Sequence, residues 1–132
     1  MCQDGEGQSV EMILVDTSIW IHHFRKTDHE LVDQLNIGSV ACHPFIIGEL
    51  ACGNLGNREE ILMLLQALPS TPFIEPNEIL YFIENNSLMG RGLGYVDIHL
   101  LASSIIGNVA LWTADRRLRE VATELGLSYL NG

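Results

Sequence analysis

The chain has 132 residues, 47% of them hydrophobic and 18% charged, which is enough for one domain with one core and excludes a disordered chain. Seventeen acidic residues against seven basic ones leave a formal net charge of −10, which excludes a simple basic nucleic-acid binder but not an enzyme whose carboxylates hold a cation. No apolar run reaches the roughly 18 residues that a membrane-spanning helix needs, and the three cysteines show neither a C-x-x-C pair nor zinc spacing with histidine.

Residues 1–11 carry no apolar periodicity and read as a disordered leader, while residues 12–132 read as a single domain. The acidic, polar stretch from Cys2 to Gly7 is the opposite of a secretory signal, so the expected location is the cytoplasm. A short buried strand over 12–15 stops at Asp16, and Thr17 and Ser18 follow at once. A helix is predicted over 18–24, with Ile19, Trp20, Ile21 and Phe24 as its apolar residues. Asp28 opens a second helix, which ends at Gly38, a residue suited to the position after a helix. Residues 39–43 read as a second strand, and Pro44, tolerated in a first turn, opens a helix to Cys52. Gly53 to Asn57 breaks that helix, and 58–68 is a leucine-rich amphipathic helix closed by Pro69. A short strand is expected over 72–75, then a helix capped by Asn77 and running to about Met89, then a glycine-rich loop over 90–94. The last elements are a helix over 95–106, a strand over 109–113, a helix over 115–125 and a strand over 127–130. Apolar strands alternating with longer helices predict an α/β domain with a parallel sheet covered on both faces.

Ligands in such folds bind beyond the carboxyl ends of the strands. Two acids stand there, Asp16 after the first strand and Asp115 after the 109–113 strand. Two more lie in unexpectedly apolar helices: Glu49 within FIIGELAC and Asp97 within YVDIHLLA. Each has an ordinary structural reading, as a helix cap, a first-turn acid or a partly exposed helix acid. Together they outnumber the basic side chains available to neutralise them, since most of the seven lie in solvated stretches. A hard divalent cation with oxygen ligands solves that problem, and Mg²⁺ or Mn²⁺ suits a site of carboxylates and hydroxyls better than zinc. A cation in that setting activates water and steadies charge on a phosphoryl group.

ILVDTSIWI, FIIGELACG, GYVDIHLLASS and LWTADRRL, in that order, resemble the PIN-domain nucleases, and more closely the VapC-type toxins of toxin–antitoxin pairs. The resemblance runs from Met12 to Gly132. It implies a three-layer α/β/α sandwich with a central, mostly parallel sheet, and an acidic pocket that takes Mg²⁺ or Mn²⁺ and cuts single-stranded or loop RNA. It implies catalytic roles for Asp16, Glu49, Asp97 and Asp115, with Asp16, Asp97 and Asp115 as metal ligands. Thr113 and Ser18 match the polar positions that support the cluster. Arg91, Arg116 and Arg117 lie near the pocket acids in sequence and are the candidates for phosphate contact. The implied partners are an RNA substrate, a cognate VapB-type antitoxin and a second copy of the chain, with no membrane.

Other features carry less. Cys42 and Cys52 read as ordinary buried thiols. His22, His23 and His29 read as surface residues, and His99 points about 200° around its helix from Asp97, so packing or solvation accounts for it. Gly90 to Gly94 has no P-loop lysine and no strand before it. Trp20 and Trp112 read as core or interface residues. The competing readings are a non-catalytic module on the same fold, and a phosphatase-like or receiver domain. The latter lacks the second aspartate of a D-x-D motif, and the only lysine is Lys26.

Overall fold

Residues 11–129 are described in a computed structural model. The leader expected over 1–11 falls outside them, save for Glu11. Ile13–Val15 (β1) is buried at every position and lies between two parallel neighbours. Val40–Ala41 (β2) pairs on one side, with Ile13 opposite Val40, and Ala110–Trp112 (β3) on the other, with Ile13 opposite Ala110. Single bridges extend the sheet at both edges, Ser70 beside Cys42 and Ser128 beside Leu111. Strands without an alternating polar face require cover on both sides, and seven helices among the described residues supply it. The architecture is the expected α/β/α sandwich.

These helices are Thr17–Arg25 (α1), His29–Asn36 (α2), Pro44–Ala51 (α3), Arg58–Ala67 (α4), Pro76–Asn85 (α5), Tyr95–Gly107 (α6) and Arg116–Glu124 (α7). Their starts follow local chemistry. Asp28 accepts the Leu31 N–H at the head of α2, and Asp115 accepts the Leu118 N–H at the head of α7. His43 Nδ1 accepts the Phe45 N–H ahead of α3, where Pro44 has no N–H to satisfy. Gly38, with φ of +76°, turns the chain out of α2. Trp20, Leu14, Leu100 and Leu111 are among the residues that fill the core beside the sheet.

Three expectations need correction. The strand expected over 72–75 does not form, and pairing falls just upstream, where Cys42 donates to Pro69 and accepts from Thr71. The reason is the donor supply, because Pro72 and Pro76 have no N–H for a ladder. The fifth helix starts at Pro76 with Glu75 at its N-cap, ahead of Asn77, and ends at Asn85 instead of near Met89. Of the two described cysteines, Cys42 is buried but Cys52 is exposed at the end of α3.

Candidate active site

Asp16 stands where β1 ends, on the central strand of the sheet, and is 7% exposed. It occupies the N-cap position of α1 but makes no side-chain cap bond. Its Oδ2 instead accepts the Thr113 hydroxyl at 2.7 Å and the Ser18 hydroxyl at 3.0 Å. Those hydroxyls also accept backbone N–H groups, Asp115 N to Thr113 Oγ1 and Ala114 N to Ser18 Oγ, both at 3.0 Å. The turn after β3 is thereby tied to the end of β1, and one carboxylate oxygen is held in a fixed direction.

The other three acids gather around it. Asp97, at the start of α6, accepts the Gly94 N–H at 3.0 Å. Glu49, exposed on α3, accepts the Thr17 hydroxyl at 2.6 Å, a contact with no forewarning in the sequence beyond a threonine beside Asp16. Asp115 is exposed and caps α7 through Oδ1. Burial raises the pKa of Asp97, the Gly94 N–H opposes that shift, and the negative charges of Asp16, Asp115 and Glu49 add to it. The fold thus brings all four predicted acids into one another's field.

Among the described residues none of the four has a basic partner, and the two ion pairs lie elsewhere. The donor set is all oxygen, carboxylates beside two hydroxyls, which is the chemistry of Mg²⁺ or Mn²⁺. No three acidic, histidine or cysteine side chains stand as a ready-made cation cluster among the described residues. The fit to a cation is therefore one of charge and ligand type.

The three candidate arginines are treated differently by the fold. Arg91 makes a two-toothed pair with Glu124, at 3.1 and 2.8 Å, and Arg116 lies 3.7 Å from Glu120. Arg117 has no ion pair among the described residues and lies across Gly92, where an added Cβ would fall 2.7 Å from its Nη1. Gly92 also has φ of +80°, a backbone conformation that favours glycine.

His99 is packed, one of the two roles expected for it, but the ring cluster that packs it was not foreseen. His99 is 1% exposed, and Phe45, Phe73 and Tyr95 close around it with ring centroids 4.7, 5.6 and 4.6 Å away. The available signal was the four-residue spacing of Tyr95 and His99, which puts both on one helix face. His43 lies beneath, and burial, with the nearby His99, depresses its pKa to about 4.

Residues 13–124 match the family model described as PIN domain. The chain belongs to the PIN-domain family. Proteins from two strains of Mycobacterium tuberculosis, CDC 1551 / Oshkosh and ATCC 25618 / H37Rv, each named Ribonuclease VapC32, are 43% identical to this PIN domain over 118 residues. The match spans 89% of this chain and 95% of theirs, and it makes this PIN domain one of the VapC type. The crystal structure of PAE2754 from Pyrobaculum aerophilum has a TM-score of 0.60 to it, covering 88% of this chain and 96% of that one. Sequence identity there is 14%, so that likeness concerns the PIN fold alone.

Proposed function

We propose that this PIN domain is a metal-dependent endoribonuclease toxin that hydrolyses RNA phosphodiester bonds and is neutralised by a cognate antitoxin. The observation that carries the reading is Asp16, buried at the end of the central strand, fixed by Thr113 and Ser18, with three acids around it and no basic partner. Asp16, Asp97 and Asp115 would hold Mg²⁺ or Mn²⁺, which would supply Lewis acidity at a phosphoryl oxygen and steady the charge that develops there. Thr113 and Ser18 keep the Asp16 carboxylate oriented, so it needs no reorganisation during reaction. The carboxylates of the site, Glu49 and Asp97 among them, orient the attacking water and take its proton. Arg117 is the phosphate contact of the three arginines, since Arg91 and Arg116 are already engaged.

Two surfaces suit the implied protein partners. A groove of about 610 Å³ is lined by Ile21, Phe24, Leu50 and Ile61 and reaches Glu49. An antitoxin segment with an apolar face and a basic residue for the acidic pocket fits it. A second copy of the chain would cover α5, which exposes Leu80.

The test is incubation of purified protein with a pool of structured cellular RNAs, with Mg²⁺ or Mn²⁺ and with EDTA, beside Asp97→Asn. Cuts that need the metal and vanish in the variant support the reading. Uncut RNA from a folded protein that binds the metal would favour a binding module instead.

A further inference from the structure

We propose that Tyr95, Phe73 and Phe45 form a stacking subsite for unpaired bases beside the RNA bond that is cut, a reading that rests on the proposed nuclease activity. Tyr95 is 51% and Phe73 49% exposed, while the imidazole they enclose is buried. Phe73 lies nearly parallel to His99, at 24°, and Phe45 and Tyr95 meet it edge-on, at 68° and 81°. The outer rings are thus held in place from below and open to solvent above. Packing alone would be served by aliphatic side chains, without a buried imidazole whose Nδ1 has no hydrogen-bond partner among the described residues.

The position adjoins the acids. Phe45 and Glu49 are four residues apart on α3, so they share a face one turn apart. Tyr95 opens α6, the helix that carries Asp97, and lies about 200° around it from Asp97. Phe45 therefore stands one helical turn from Glu49, and Tyr95 stands at the same end of α6 as Asp97.

The charge balance favours nucleobases as the occupant. Seven basic side chains stand against seventeen acidic ones, so attraction for phosphate over the surface as a whole is weak. Stacking does not depend on charge, and every base has a face to offer, so it suits an acidic protein that binds single strands.

The experiment compares wild type, Tyr95→Leu, Phe73→Leu and Tyr95→Trp. Each is titrated in Ca²⁺ with a fluorescent random-sequence single-stranded RNA 12-mer, and with an abasic chain of the same length and charge. Light scattering on the same samples gives the oligomeric state. The expected result is RNA binding about 5- to 150-fold weaker in each leucine variant, the range one stacked base contributes, with binding retained in Tyr95→Trp. The abasic chain should bind wild type and the leucine variants alike. Leucine variants that bind RNA as wild type does, while wild type still cuts RNA, overturn the subsite and leave the nuclease standing. Wild type that neither binds nor cuts RNA overturns both. Leucine variants whose mass falls to half, with RNA affinity unchanged, would assign the rings to a seam between copies.

Discussion

Thr113 holds two bonds through a single hydroxyl, donating to Asp16 and accepting from the Asp115 N–H. Thr113→Val keeps the shape and leaves that N–H unpaired, which should cost about 1–3 kcal/mol of stability in urea unfolding. The same change frees the Asp16 carboxylate, so RNA cleavage should fall about ten-fold or more, and Thr113→Ser should restore most of both. Asp97 behaves in the opposite way. Its raised pKa means the folded chain keeps a proton that the unfolded chain releases at lower pH. Its contribution to stability is therefore greatest in acid and falls as pH rises through the raised pKa. Asparagine escapes that loss, so Asp97→Asn should raise the urea midpoint of metal-free protein at neutral pH, while cleavage drops about 100-fold or more. At this scale the sequence was most readable where a residue broke a pattern. A carboxylate closing an apolar strand and two acids in apolar helices were conspicuous, and the fold draws all four together. The arginines were not separable, because their fate turns on Glu124 and Glu120, whose position across from them is a matter of packing.

Helices were legible where capping chemistry announced them, as at Asp28, Pro44 and Asp115, and α4 and α6 were legible without a side-chain cap at their N-cap residues. The 72–75 stretch looked extended, but Pro72 removes a ladder donor at its head and Pro76 opens a helix right after it. The cluster around His99 was hidden because its members come from α3, α6 and the segment between α4 and α5. That cluster reports on α3, whose first N–H groups depend on His43. The pKa of His43, depressed from 6.5 to about 4, lets the unfolded chain bind a proton that the folded one refuses. Stability from this residue is complete above about pH 6.5 and is lost as pH falls toward about 4, by up to about 3 kcal/mol. His43→Asn, which can still cap α3, should show a shallower loss of thermal stability over that window. At the other end of α6, a Cβ on Gly107 would fall 2.9 Å from Pro72 Cδ, an atom in a ring fused to the backbone. Gly107→Ala should therefore lower stability by about 1–2 kcal/mol in urea unfolding, despite alanine's better helix propensity.

For the whole molecule, the apolar residues left outside set the next expectation. Leu80 on α5 is 63% exposed. If a second copy covers that helix, Leu80→Asp should yield a particle of half the mass by light scattering, still folded by circular dichroism. The order of the sheet has a further effect, on timing. Its central strand is the first one made among the described residues, and it is flanked by strands that arrive early on one side and late on the other. Asp16 is bonded to Thr113, 97 residues further along the chain. A chain still being synthesised can hold Asp16, Glu49 and Asp97 and yet lack the hydroxyl that orients the first, the fourth acid and one whole side of the sheet. The acidic pocket is therefore among the last parts of the molecule to exist, and an unfinished copy of the chain carries the acids without the arrangement that makes them a site.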